Sequence, residues 1–141
     1  MYLLDTNVIS ELRKSPGRVH PQVDAWAVSV QADQTFLSVL TLGELRRGIE
    51  KLRVSEPERA GRLDIWFEHL ARYQYAGRIL DVDRDVVDRW GRFGSAHPAV
   101  TMDGLIAATA LVHNLTVVTR NTRHFVHTQV PTLDPWLPRG A

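Results

Sequence analysis

Three carboxylates stand where a folded chain could gather them: Asp5 after Met1-Tyr-Leu-Leu4, Glu44 within Leu42-Gly-Glu-Leu45, and Asp103 ahead of an apolar run over residues 104–113. Grouped carboxylates repel, two of them about 4 Å apart losing roughly 4 kcal/mol at an effective dielectric near 20. Such a group persists where a hard divalent cation offsets the repulsion, and Mg²⁺ takes oxygen ligands while keeping several of its waters. The chemistry these residue types suit is metal-assisted work on a phosphate.

Each acid also has a local explanation. Asp5, Thr6 and Asn7 all have side chains that accept from the free N–H groups of a helix start. Thr41-Leu-Gly-Glu44 has the spacing of a capping box, with Glu44 folding back onto the backbone of Thr41. Thr101 or Asp103 suits the start of the apolar helix, where an acid complements the helix dipole. A cap needs no distant partner, whereas a metal site needs all three acids to converge. The elements between them therefore decide the matter.

Residues 2–5 read as a short buried strand turning directly into a helix over 6–13, which Pro16 and Gly17 stop. A second helix is predicted over 21–30, with Val23, Trp26, Ala27 and Val30 at helical spacing. A β-branched and aromatic strand follows over 35–39, then a helix over 42–52. The longest helix is predicted from Ser55, in a capping box with Glu58, to about Tyr75, with Gly77 as its C-terminal stop. A strand over 79–82, a helix over 84–93 and a loop over 95–100 containing His97-Pro98 precede the apolar helix. Strands over 115–119 and 130–133 complete the pattern, and residues 135–141 form an extended tail packing Trp136. Short apolar strands alternating with helices predict an α/β fold, a three-layer α/β/α sandwich around a mainly parallel sheet of four to five strands. In such sheets ligands bind in the crevice at the carboxyl ends of the strands, where this order drives Asp5 and lets the other acids follow.

Composition narrows the function classes. A chain of 141 residues is one domain, here spanning 1–141, and its 44% hydrophobic and 23% charged content is that of a soluble globular protein. With no cysteine, disulfides and thiolate zinc sites are excluded, which suits a reducing cytoplasm. No run approaches the ~20 apolar residues of a membrane span, and Asp5 and Asn7 interrupt the N-terminus before a signal peptide's apolar region could form. A net charge of +1 argues against a broad electrostatic attraction for nucleic acid, although 15 of the 17 basic residues are arginine, the better bidentate phosphate ligand.

The segments Met1-Tyr-Leu-Leu-Asp-Thr-Asn-Val-Ile-Ser-Glu-Leu12, Leu42-Gly-Glu-Leu45, Asp103-Gly-Leu-Ile-Ala-Ala-Thr-Ala110 and Val118-Thr-Arg-Asn121 with Phe125 resemble the PIN-domain ribonucleases. In particular they resemble the VapC toxins of type II toxin–antitoxin systems and, with Val130-Pro-Thr-Leu-Asp-Pro-Trp136, their FitB-like branch. The resemblance runs from Met1 to about Trp136, and its segments around Asp5 and Asp103 are the specific ones. It implies an endoribonuclease using Mg²⁺ or Mn²⁺ held by Asp5, Glu44 and Asp103. It also implies a cognate small antitoxin that reaches into the acidic groove, contact with operator DNA only through that antitoxin, and a homodimer, for which Trp26, Trp66 and Phe67 offer apolar surface or core.

Thr6, Ser38 and Thr119 are supporting candidates, able to orient water at the metal or to serve as caps. Arg46, Arg47, Arg120 and Arg123 are candidate phosphate contacts or solvated surface. His69, His113 and His127 have no metal-ligand spacing. Many relatives carry a fourth acid at the position of Asn121 or His124, and here both are non-acidic. Asn121 could supply a neutral oxygen or cap a turn; His124 could ligate a metal, act on a leaving group or stand on the surface. The missing acid leaves room for a degenerate PIN domain that only binds nucleic acid or a partner, and a PIN nuclease acting on DNA is the other alternative. A haloacid-dehalogenase phosphatase would need a second aspartate where Asn7 stands.

Overall fold

The computed structural model describes residues 1–94 and 101–139, so the expected loop over 95–100, the side chain of Thr101 and the last two residues of the tail lie outside the described part. Five strands form one sheet, β1 (Tyr2–Leu4), β2 (Thr35–Ser38), β3 (Ile79–Leu80), β4 (Thr116–Val118) and β5 (Thr132–Leu133), in the order β3-β2-β1-β4-β5 with every pairing parallel. The chain winds outward from β1 to β2 and β3, then crosses back to β4 and β5. The order of connection therefore reverses between β1 and β4, which is where a doubly wound sheet opens its ligand crevice.

The two-residue side-chain period of a strand divides the core in two. Leu3 pairs with Val117 and Leu4 with Val118. Leu4, Leu37 and Val118 face one way, onto Val8, Ile9, Trp26, Leu45 and Leu70. Leu3 and Val117 face the other, onto Ile106, Ala107, Ala110 and Phe125. The first face is covered by α1 (Thr6–Leu12), α2 (Pro21–Ser29), α3 (Val39–Arg53) and α4 (Pro57–His69), and the second by α6 (Thr101–Val112), against which α5 (Arg84–Gly91) packs. This is the three-layer sandwich the alternation predicts. Each large apolar side chain fully buried here contributes on the order of 2 kcal/mol. Trp26 is 2% exposed and belongs to this core, while Trp66 and Phe67 pack half-buried against it.

Two helix starts on the first face differ from expectation. α3 begins at Val39 rather than at residue 42, because the Ser38 hydroxyl accepts from the N–H of Leu40 at 3.0 Å and caps it. Thr41 thus lies inside the helix, and the capping box with Glu44 does not form. α4 begins at Pro57, a residue suited to a first helical position because it has no N–H to leave unpaired. Its N-cap is Glu56 without a side-chain cap bond, so the Ser55 box is also absent. The helix continues as one π-type turn, Leu70–Gln74, and Gly77 turns the chain into β3 at φ +77°. Two short 3₁₀ segments, Ala32–Gln34 and Thr122–Thr128, were not anticipated.

Candidate active site

Asp5 is the first residue beyond β1, and its N–H still bonds to the Val118 carbonyl of β4 at 2.9 Å. It leaves the strand in extended conformation and caps α1, so its carboxylate stands at the top of the sheet at the β1/β4 switch. The cap is real: Oδ1 accepts from the Thr6 N–H at 2.9 Å. The same carboxylate also makes long-range bonds that no cap requires. Its Oδ2 accepts from the Thr119 hydroxyl, one residue past β4, at 2.8 Å, and from the Asn7 amide at 3.4 Å.

Glu44 projects from the second turn of α3 and is tied to α1 rather than to its own helix start. Its Oε1 accepts from the Thr6 hydroxyl at 2.8 Å. Thr6 therefore touches both acids, Asp5 through its N–H and Glu44 through its hydroxyl. Asp103 occupies the first turn of α6, inside the helix rather than before it, and its Oδ2 lies 3.2 Å from Nδ1 of His124.

The electrostatics carry the mark of convergence. Burial raises the Asp5 carboxyl above the ordinary carboxylate range; the Thr119 and Thr6 bonds draw it down, the charge of Asp103 adds to the rise, and His124 opposes it. Burial likewise raises Glu44, against the Thr6 hydrogen bond and with the help of both Asp5 and Asp103. The three acids are thus near enough for their charges to repel, which three independent caps would have no reason to be. Among the described residues no three His, Asp or Glu side chains close on one point as a full coordination set. The donors of the three acids are all oxygen, the ligand type of a hard divalent ion such as Mg²⁺, which takes one or two carboxylates directly and keeps several waters.

The remaining expected residues differ in how they relate to the acids. Thr6 and Thr119 hold the acids, and His124 reaches Asp103. Asn121 borders the site, its N–H donating to the Thr119 hydroxyl at 3.0 Å, and its side chain forms no cap bond on the 3₁₀ segment that follows. Ser38 and Arg46 have partners within the fold. Ser38 is fully buried and spent on capping α3. Arg46 pairs with Asp64 at 2.7 Å and stacks over Phe67, so it is committed within the fold. Arg120 lies over Trp136 at 5.1 Å, and Arg47 and Arg123 are exposed. His69 and His113 are exposed.

The residue that sequence reasoning missed is Asn7. Its amide donates to Asp5 and, at 3.2 Å, to the Thr119 hydroxyl, while its Oδ1 accepts from the N–H of Arg120 at 3.2 Å. It thereby ties the start of α1 to the end of β4. The only signal was its place two residues after Asp5, where capping was explanation enough.

A small doubly wound α/β domain with a hydroxyl-braced acidic crevice at its switch point is the class that fold and site define. The PIN-domain family model matches residues 2–130, and the chain belongs to that family. Among its relatives, toxin FitB of Neisseria gonorrhoeae is 37% identical over 96% of this chain and 99% of its own. The VapC ribonuclease Y4jK of Sinorhizobium fredii is 33% identical over 98% and 99%. Among solved structures, FitAB bound to an IR36 DNA fragment superposes with a TM-score of 0.88, at 33% identity over 99% of both chains.

Proposed function

We propose that this chain is a divalent-metal-dependent endoribonuclease and the toxin of a type II toxin–antitoxin pair, working in the cytoplasm. The observation that carries the reading is the convergence at the β1/β4 crevice of Asp5 and Glu44, both held by Thr6, with Asp103 near enough for its charge to act on them. The full-length similarity to FitB and to a VapC ribonuclease supports the choice of RNA and of a toxin's role.

Asp5, Glu44 and Asp103 would hold Mg²⁺ or Mn²⁺, with Asn121 and His124 at the border of the set. Such an ion, when bound, lowers the pKa of its water and offsets charge building on the reacting phosphate. The chain's own residues prepare that chemistry. Thr119 and the Thr6 N–H fix the two oxygens of Asp5, and the Thr6 hydroxyl aims Glu44. Carboxylate ligands held by hydrogen bonds of this kind lose little order on binding. His124, beside Asp103 and half exposed, would ligate the ion or act on the leaving group. Asn121 and His124 in place of a fourth acid leave the set one negative charge poorer, so it should bind metal more weakly than a four-acid site.

A small cognate antitoxin is the partner this reading requires, reaching the acidic groove with a basic residue and carrying any contact to operator DNA; the toxin itself pairs as a homodimer. Expression of the wild type against Asp103→Asn, with RNA mapped after growth arrest, tests the proposal. Arrest with discrete RNA cuts is expected from the wild type alone. Equal toxicity of the two, or cleavage of DNA but not RNA by the purified protein, would overturn it. The non-acidic pair Asn121 and His124 favours one second reading, a PIN domain that binds without cutting, which predicts intact RNA in both cultures.

A further inference from the structure

Five arginines of this chain are committed within the fold. Arg46 and Arg53 share Asp64, Arg72 pairs with Glu68, Arg92 with Asp88, and Arg78 donates to the carbonyls of Ala32 and Thr35. A different arrangement stands at the far end of α1. Arg13 follows the last turn of that helix and lies against Trp66 at 5.6 Å, and it makes no ion pair among the described residues. Burial pushes the Arg13 guanidinium below its ordinary range, and Arg59, on α4, is close enough that its charge adds to the fall. The carboxylate nearest Arg59 is Glu56 at 3.6 Å, and half of the Arg59 side chain is exposed. Arg18 is exposed on the turn beyond and makes no ion pair among the described residues. Lys14 beside them is neutralised by Glu11 at 2.9 Å.

These cations are joined to the acidic crevice by an open path. A cleft of about 280 Å³ begins at Thr6 and Glu44, passes over Leu45, Ile49 and Leu63, and ends at Arg13 and Arg59. The same two arginines line a wider basin of about 540 Å³ with Arg18. The rise of α1 from Thr6 to Arg13 makes the path roughly 10 Å long at about 1.5 Å per residue. It therefore has Glu44 at one end, a largely apolar floor, and at the other end cations crowded without enough acid to balance them. Guanidinium forks match phosphate oxygens, and an anion between two of them offsets their repulsion.

We propose that Arg13, Arg18 and Arg59 form a subsite for a non-reacting phosphate of a single-stranded RNA substrate, the cleft between carrying the intervening nucleoside. The proposal rests on the ribonuclease reading above. A strand whose reacting phosphate lies at the carboxylates has its neighbouring phosphates within reach of the end of α1, and its sugars and bases meet the apolar floor. An acidic peptide would gain the same arginines but would have to run its carboxylates past Glu44.

Binding and cleavage are tested apart. Fluorescence anisotropy of a labelled single-stranded RNA is followed across a salt series with Asp103→Asn protein, and with the same protein also carrying Arg18→Glu and Arg59→Glu. Both added positions are exposed, so the fold should tolerate them, and thermal melting checks that it does. A loss of tenfold or more in affinity is expected, with a log–log salt slope shallower by about 0.7 for each phosphate that is no longer neutralised. Arg13→Lys, which keeps the charge but not the fork, should weaken binding less. Unchanged affinity and slope would overturn the subsite, as would no measurable RNA binding at low salt. So would variants that lose only the antitoxin, which would assign the surface to a protein interface. Wild type that cuts no RNA while binding still depends on the arginines would sink the ribonuclease reading and leave the subsite standing. Efficient cutting with arginine-independent binding would do the reverse.

Discussion

Thr6 is the residue through which two acids are set. Its N–H fixes Asp5 and its hydroxyl fixes Glu44, while Thr119 takes the other oxygen of Asp5. Replacing a hydroxyl that orients a ligand typically costs about 10- to 100-fold in metal affinity or activity. Thr6→Val and Thr119→Val should each lower RNA cleavage by that order, with Thr6→Ser and Thr119→Ser retaining most of it; metal titration of the rate would show the loss as weaker metal dependence. Valine variants as active as wild type would mean that the acids need no such bracing. Asn7 shows why this layer was only partly legible. Its bonds to Thr119 and to the N–H of Arg120 join residues 112 and 113 positions apart, and nothing local in Asp-Thr-Asn distinguishes them from a cap.

At the scale of elements, the site depends on where α3 starts. Ser38 caps it, and Glu44 then projects from the second turn toward Thr6. Removing a serine N-cap costs about 1 kcal/mol, within a range of roughly 0.5–2. Ser38→Ala should lower the urea midpoint by the equivalent of that loss with little change in m-value, and it should also weaken cleavage if the first turn frays. The strands were readable because Leu3-Leu4 and Val117-Val118 are apolar runs buried on both faces of a parallel sheet, as such runs must be. The helix starts were less so. Ser38 and Thr41 are both good caps three residues apart, and the glutamate three after Thr41 favoured the wrong one; the burial of Thr41 against the core settles the choice in the folded chain, not in the sequence. The partner of Arg46 was hidden for a related reason, since Asp64 reaches it from a neighbouring helix eighteen residues on.

For the molecule as a whole, the acidic crevice is a source of instability that a cation should relieve. Asp5 and Glu44 have carboxyls raised above the ordinary range, burial being the largest cause in both. As pH rises past the ordinary carboxylate range, the unfolded chain loses these protons before the folded one does. The folded state then binds more protons, and stability falls as pH rises through the raised values. In chelator, the melting temperature of the wild type should therefore decline with rising pH relative to Asp5→Asn and Glu44→Gln, which have no charge to bury at those positions. Below the ordinary range the difference should vanish. Mg²⁺ or Mn²⁺ at about a hundredfold excess over its Kd adds roughly 2.7 kcal/mol, on the order of 10 °C in Tm for a domain of this size. That gain should appear only above the raised values, where the acids are ionised, and should be absent from Asp5→Asn. A melting temperature that ignores both pH and divalent cation would mean that the three acids neither strain the fold nor bind metal, and the functional reading would have to give way to a binding-only domain.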